Sequence, residues 1–346
     1  MISIPGVPDW AVWTGFVVLI LALLELDIGL FNRKDHIISV KEALGWSAFW
    51  FSLAMAFNWW VYASSGTEKA LEFLTGYLIE LSLSIDNLFV FLLIFSAFAI
   101  RREYQHRVLF WGIMGAIVMR GLFIALGSAL VSRFDWVFYL FGLIILWGAY
   151  HMAFQKEKKF NPEENLAIRM VRRFFPVSGK DNGHDFFVKE KGRTMATILF
   201  VALVTIELTD VVFATDSIPA IFGITTDPFI VFTSNIFAIL GLRSMYFALA
   251  GLHAMFAYLK TGLAAILAFI GVKMLLHDVW HPPTYLTLIV VVIILAVSIL
   301  ASFLFVKKRV EHGGPMRHAP EHGVEHDHGV HISVTRKGVR KYPEQK

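Results

Sequence analysis

The chain has 346 residues, of which 57% are hydrophobic and 17% are charged, and its formal net charge is +4. A soluble protein would carry charge on about a quarter of its residues, so this composition excludes an ordinary soluble globular fold. There is no cysteine, which excludes disulfides and thiolate metal sites. The basic residues lie between long apolar blocks, where no basic face can form, and we therefore expect no nucleic-acid partner.

Long apolar blocks follow one another along the whole chain. A helix needs about 20 apolar residues to cross a bilayer. By this rule the sequence predicts an all-α, polytopic membrane protein with about nine transmembrane helices and the lipid bilayer as a partner. The predicted spans are Trp10–Phe31, Trp46–Ala63, Leu71–Ala97, Val108–Val131, Trp136–Phe154, Met195–Phe222, Phe229–Leu249, Met255–Leu276 and Thr284–Val306.

Lysine and arginine indicate how these spans are oriented. They follow the first, third, fifth and last predicted spans, and the segment 155–194 alone holds ten of them. Positive charge stays on the cytoplasmic side of a membrane. We therefore predict an outside N-terminus, a cytoplasmic C-terminus and insertion in the plasma membrane, which in a bacterium is the inner membrane.

Two pairs of segments repeat in the same order on either side of the basic segment. Glu80–Asn87 matches Asp210–Ser217, because each has an acid, five intervening residues, an aspartate and then a small polar residue. Arg120–Leu126 matches Arg243–Leu249. The pattern predicts two three-helix units. An odd number of helices inserts the second unit upside down, which is typical of secondary transporters.

This repeat divides the chain into six predicted parts. They are an N-terminal two-helix addition (1–70), the first three-helix repeat (71–154), a cytoplasmic basic linker (155–194), the second three-helix repeat (195–277), the last transmembrane helix (278–306) and a disordered, His-rich cytoplasmic tail (307–346).

Five carboxylates fall well inside the predicted spans. They are Glu80, Asp86, Glu207, Asp210 and Asp216. A charged group at the centre of the bilayer costs about 2.5–3.5 kcal/mol, so these side chains must face the helix bundle. Two intramembrane arginines are obvious partners, yet pairing both leaves a formal charge of about −3 on the set. We interpret this deficit as a site for a divalent cation, for protons or for both. Salt bridges that only join helices are the alternative.

Helical geometry leaves the arrangement of the acids open. Glu207 and Asp210 share a face because they are three residues apart. Six residues turn a helix by about 240°, which separates Asp210 from Asp216. Either the helices unwind locally, for which Pro219 favours a break in the sixth span, or the acids line more than one site.

The candidate ligands are hard oxygen donors, which suit Mn, Mg or Ca and disfavour soft ions. We predict that the five acids bind the metal, that no histidine lies mid-span beside them, and that no prosthetic group is needed. Asp27 either extends an ion path or is a solvated carboxylate at a helix end. The predicted supporting residues are Asn87, Ser217, Asn235, Arg120, Arg243 and Asp27.

The C-terminal tail carries a second candidate metal site. Its clustered imidazoles suit transition metals, so the tail either buffers or senses a metal or is a merely soluble extension. The histidines concerned are His322, His326, His328 and His331.

From residue 8 to residue 306 the chain resembles the TerC family of membrane proteins, in particular its Alx-like branch, and the wider group of LysE-type exporters. The segments that carry the resemblance are Thr75–Asn87, Glu207–Phe222 and Thr226–Phe247. The family is named for tellurium resistance, and members are implicated in manganese export. The resemblance implies that the five acids match the family's acidic intramembrane positions. The His-rich tail is outside the family core and leaves a different metal open.

These observations predict an exporter of a divalent metal ion, Mn²⁺ by resemblance, with alternating access and carboxylates at the repeat interface, driven by proton exchange. The alternative is a non-transporting membrane scaffold that assembles membrane or cytoplasmic protein partners in tellurite or metal stress resistance. We expect no enzyme activity, because the sequence has no nucleophile with a base, no Gly-rich phosphate loop and no His-Glu-x-x-His motif.

Overall fold

The computed structural model describes residues 8–31, 39–154, 170–171, 173–174, 176–178, 185–190, 193–252, 259–280, 282–311, 330–335 and 338–343. Nine helices lie in these ranges: α1 Asp9–Phe31, α2 Val40–Ala97, α3 Arg102–Val131, α4 Trp136–Phe154, α5 Ile198–Phe222, α6 Pro228–Leu240, α7 Leu242–Leu252, α8 Leu259–Leu275 and α9 Thr284–Glu311. Two antiparallel hairpins accompany them, β1 Phe187–Glu190 with β2 Arg193–Ala196, and β3 Val330–Thr335 with β4 Gly338–Pro343.

Six of the described helices, α1 to α5 and α9, are long and apolar enough to cross a membrane. The pair α6 and α7, bent by 41° at a short break, forms a seventh candidate span. The described part of α8 has 17 residues, and the start of its predicted span, 255–258, lies outside the described residues. The protein is therefore a polytopic helical membrane protein, as the composition predicts.

The 58 residues of α2 form two arms. Gly66 has φ 86° and ψ 178°, a backbone conformation that glycine adopts readily because it has no Cβ. The ring centroids of Phe57 and Phe73 lie 5.3 Å apart and those of Phe51 and Tyr77 6.1 Å apart. In a straight helix Phe57 and Phe73 would be about 24 Å apart. The arms, here α2a (40–65) and α2b (67–97), therefore run antiparallel.

Small residues let the helices approach one another closely. Gly142 of α4 faces Gly271 of α8, and a Cβ on either glycine would lie 3.1 Å from the carbonyl oxygen of the other. Gly76 of α2b lies against Ser234 of α6, where a Cβ would come within 2.9 Å of the hydroxyl. Membrane helices pack through such small residues because lipid supplies little hydrophobic driving force between them.

No break occurs at Pro219, and this part of the sequence prediction is wrong. The described helix α5 continues through Pro219 to Phe222. Pro219 removes only its own backbone hydrogen bond, to the carbonyl of Thr215, and α5 ends three residues later. The residues from Ile218 to Phe222 are also buried against neighbouring helices. Asp210 and Asp216 consequently keep the separation that a regular helix imposes.

The tail contains regular structure where it is described. Helix α9 extends to Glu311, and strands β3 and β4 pair antiparallel. These elements lie in the segment for which the sequence predicts disorder. The sequence of β3 alternates Val330, Ile332 and Val334 with polar residues, a pattern typical of a strand. Residues 312–329 lie outside the described residues.

Candidate functional site

A buried arginine on α3 contacts side chains of α2b, α5 and α6. Arg120 of α3 is fully buried. Its Nε and Nη2 donate to the two carboxylate oxygens of Asp210 on α5, at 3.2 and 3.0 Å. Its Nη1 forms an ion pair with Glu80 Oε1 on α2b and lies 3.4 Å from Asn235 Oδ1 on α6. We call these four residues the central cluster. Its formal charge is about −1 when both acids are ionised.

Two atoms of the central cluster have no hydrogen-bond partner among the described residues, Glu80 Oε2 and Asn235 Nδ2. Both residues are fully buried. Glu80 Oε1, in contrast, is approached by Arg120 and, at 3.5 Å, by the Ser84 hydroxyl. A buried polar atom without a partner is costly, so the cluster retains binding capacity on the Glu80 side.

Glu207 lies one turn before Asp210 on α5, as its spacing predicts, and its carboxylate occupies a niche on α3. The floor of this niche is Gly115, where a Cβ would overlap the carboxylate. Glu207 is half-buried and electrostatically coupled to Asp210. Glycine at position 115 therefore makes room for a third acid beside the central cluster.

Asp216 faces a different helix. A Cβ on Gly148 of α4 would lie 2.7 Å from Asp216 Oδ1. His151, which shares that face of α4 with Gly148, acts electrostatically on the Asp216 carboxylate. Because His151 lies in the last turn of α4, it does not contradict the prediction that no histidine lies mid-span beside the acids. The acids thus line more than one site, the second of the two arrangements that helical geometry left open.

The remaining predicted residues lie at several places. Asp86 is half-buried and Asn87 buried on α2b, Ser217 and Arg243 are buried on α5 and α7, and the Ser217 hydroxyl has no hydrogen-bond partner among the described residues. Asp27 lies in α1, but its side chain is outside the described part. His331 lies in β3. Three other tail candidates, His322, His326 and His328, lie outside the described residues.

The five acids do not converge on one point. Within the described ranges no group of three or more His, Asp or Glu side chains is arranged to hold a metal ion. Arg120 occupies the space between the two acids that do meet, Glu80 and Asp210.

A second polar network, missed by the sequence analysis, joins α2b to the start of α6. Lys69 Nζ lies 2.8 Å from Glu72 Oε2 and 3.5 Å from Asp227 Oδ2. Thr225 donates its hydroxyl to Glu72 Oε2 at 2.6 Å, and Asp227 caps α6 by accepting from the Phe229 amide at 3.1 Å. Glu72 is a further buried acid on α2b, eight residues before Glu80. We call Lys69, Glu72, Thr225 and Asp227 the α2b–α6 network.

Comparison with known proteins decides the family. Residues 65–311, which contain the central cluster and the α2b–α6 network, match the integral membrane protein TerC family. The chain belongs to the TerC family. The sequence-based resemblance to this family is confirmed, and the match includes all five predicted intramembrane acids.

Relatives of this TerC-family chain align over most of its length. A membrane protein of Myxococcus xanthus, described as uncharacterized, is 50% identical over 304 residues, covering 88% of this chain and 95% of the relative. Proteins named putative membrane-bound redox modulator Alx are 45% identical over 297 residues in Salmonella typhi and 44% identical over 297 residues in Escherichia coli K12. Each of these two alignments covers 83% of this chain and 92% of the relative. No solved structure matches this TerC-family chain.

Proposed function

We propose that this TerC-family protein exports a divalent metal ion, Mn²⁺ in the first place, from the cytoplasm. The observation that carries the proposal is the central cluster, where Glu80 and Asp210 meet at Arg120. The two acids occupy equivalent positions in the two sequence repeats, and each is almost fully buried. Secondary transporters commonly place their sites where such repeats meet. A formal charge of about −1 in a buried site favours a cation over an anion.

We propose nine membrane spans and an inverted repeat for this transporter. We count α2a and α2b as two spans, α6 with α7 as one bent span, and α8 as a span. With α1, α3, α4, α5 and α9 this gives nine. The packing supports the alternation, because α2b runs parallel to α6, and α3 runs parallel to α5. The contacts concerned are Lys69–Asp227, Gly76–Ser234, Gly115–Glu207 and Gly127–Phe222. With basic loops inside, the N-terminus is outside and the C-terminus cytoplasmic.

The choice of cation follows from the donor atoms. Carboxylate, amide and hydroxyl oxygens suit Mn²⁺, Mg²⁺ and Ca²⁺, and the chain has no cysteine. Manganese is a redox-active cation, so its export would be compatible with the name of the Alx relatives, redox modulator. Any effect on tellurite would be indirect, because an anion gains nothing from an acidic core.

Cellular metal content tests this proposal. We expect cells that express the wild type to hold several-fold less manganese after a manganese load than cells with an empty vector, measured by elemental mass spectrometry. Glu80→Gln keeps the size of the side chain but removes its charge, and should abolish the difference. Glu68→Gln is the matched control, since Glu68 is exposed one helical turn before Glu72, and should export as the wild type does.

Equal membrane abundance of the three proteins must be verified by immunoblot. If Glu80→Gln exported as the wild type does at equal abundance, the role of Glu80 would be wrong. If wild-type cells held as much manganese as empty-vector cells, manganese export would be wrong. A repeat with magnesium, calcium and zinc loads would then separate another cation from a protein that transports none. The second outcome would favour the membrane scaffold.

A further inference from the structure

Arg120 makes different contacts with Glu80 and Asp210, the two acids at equivalent positions of the sequence repeat. Asp210 receives two hydrogen bonds from the guanidinium, one to each oxygen, whereas Glu80 engages it through Oε1 only. Glu80 Oε2 and the neighbouring Asn235 Nδ2 have no hydrogen-bond partner in the described part of the chain. A bidentate arginine–carboxylate pair is the stronger of the two arrangements. Arg120 therefore engages both oxygens of Asp210 but only one oxygen of Glu80, which leaves Glu80 Oε2 for another partner.

We propose that Arg120 is a resident counter-cation that competes with the transported cation for Glu80, while Asp210 keeps the arginine in place. This inference rests on the proposed function and deepens it, since it assigns separate roles to the two acids. Glu80 is the exchangeable ligand and Asp210 is the anchor of the competitor. An incoming divalent cation takes both oxygens of Glu80, and Arg120 stays bound to Asp210.

The charge balance supports this exchange. Arginine cannot lose its proton inside a protein, so the guanidinium remains positive throughout the cycle. Without the divalent cation, Arg120 neutralises part of the charge of two buried acids. When the divalent cation leaves, the guanidinium recaptures Glu80 and prevents an uncompensated carboxylate from remaining in the bundle. The arginine thus weakens equilibrium binding of the cation and favours its release.

The inference is tested by Mn²⁺ binding to the purified full-length protein in nanodiscs. The probe is Mn²⁺ alone, and free hydrated Mn²⁺ is followed by electron paramagnetic resonance. Arg120→Gln removes the competitor, and we expect it to bind Mn²⁺ at least about tenfold more tightly than the wild type. Arg133→Gln makes the same charge change at an exposed arginine and should bind as the wild type does.

Two double variants test the asymmetry. Arg120→Gln with Glu80→Gln should lose the gain in affinity, because it removes the proposed ligand. Arg120→Gln with Asp210→Asn should keep most of the gain, because it removes only the anchor. The reverse order of these two results would overturn the assignment of roles. An Arg120→Gln affinity equal to or weaker than that of the wild type would overturn the competitor itself.

Folding is controlled by a conservative substitution and by melting temperature. Arg120→Lys keeps the charge but cannot hold both acids with one planar group, so a smaller gain in Mn²⁺ affinity is expected, and no gain counts against the inference. Mn²⁺ should also raise the melting temperature of Arg120→Gln more than that of the wild type. If Mn²⁺ bound to none of these proteins, the proposed Mn²⁺ export would fail. If the wild type bound Mn²⁺ and Arg120→Gln bound it no better, only this inference would fail.

Discussion

Four of the intramembrane acids have immediate neighbours of two kinds, an arginine and a glycine. Glu80 and Asp210 share one guanidinium, Glu207 lies over Gly115, and Asp216 lies over Gly148 near His151. The three acids of α5 therefore pack against neighbouring helices, where each meets either the guanidinium of an arginine or the space left by a glycine. A buried carboxylate needs such a partner or such a space, because the low-dielectric interior penalises an unpaired charge.

Gly115→Ala is expected to disturb the Glu207 niche. A Cβ at this position would overlap the Glu207 carboxylate, and overpacking of this kind costs about 1–3 kcal/mol. We predict a lower melting temperature and reduced cation export for Gly115→Ala. The matched control is Gly45→Ala in α2a, where a Cβ meets nothing within 4 Å and alanine improves helix propensity by up to about 1 kcal/mol.

Thermal melting of the two variants in detergent, followed by size-exclusion chromatography, checks this prediction. Adding Glu207→Asp to Gly115→Ala should recover part of the loss, because aspartate is shorter and withdraws from the new methyl group. If Gly115→Ala melted like Gly45→Ala, the niche would have no energetic role.

The sequence analysis selected Glu80 and Asp210 as candidate site residues, but it did not predict that both contact Arg120. The repeated pattern marks Glu80 with Asp210, and Arg120 with Arg243, as equivalent pairs. It cannot say that Arg120 contacts both acids, because that depends on how four helices pack. His151 was missed because it is distant from Asp216 in sequence and lies near the end of its span. That all five acids bind the metal remains a prediction, since the described structure places Glu207 and Asp216 against different helices.

At the scale of helices, α2 reverses the direction of the chain at Gly66. The sequence predicts two spans separated by seven residues, 64–70, whereas the two arms of α2 meet at Gly66 with helix on both sides. Hydropathy could not locate this turn, because Thr67, Glu68 and Lys69 are polar yet helical. The sequence analysis also overlooked Glu72, because an acid near the end of a predicted span is usually solvated.

Glu72→Gln is expected to weaken the connection between α2b and α6. The carboxylate accepts from both Lys69 and Thr225, and leaving buried groups unsatisfied costs about 1–3 kcal/mol. We predict a lower melting temperature for Glu72→Gln, and no change for the exposed Glu68→Gln. Thr225→Val should destabilise less than Glu72→Gln, because it removes one hydrogen bond and no charge.

The same melting assay separates this network from a merely superficial ion pair. A surface pair contributes about 0–1 kcal/mol and is screened by salt. The difference between Glu72→Gln and wild type should therefore persist in high salt. A difference that disappeared as salt was added would show that water reaches the network and that it does not hold α2b to α6.

For the whole molecule, the direction of neighbouring helices is the strongest argument about topology. The contacts that align α2b with α6 and α3 with α5 give the helix directions that the proposed inverted repeat predicts. The ring of His277, after α8, stacks on Phe138 of α4 at 4.6 Å, and Gly142 meets Gly271, so α4 and α8 run antiparallel. These relations are consistent with an inverted repeat, which composition alone could not establish.

Cysteine labelling tests this topology directly, because the chain has no cysteine of its own. We choose three exposed positions, Lys41, Glu68 and Glu103, at the ends of α2a, α2b and α3. If the two arms of α2 each cross the membrane, Glu68→Cys faces outward and Lys41→Cys and Glu103→Cys face the cytoplasm. A membrane-impermeant maleimide should then label only Glu68→Cys in intact spheroplasts, and all three after permeabilisation. Labelling of Lys41→Cys together with Glu68→Cys in intact spheroplasts would show that α2a does not cross, and the proposed nine spans and outside N-terminus would both be wrong.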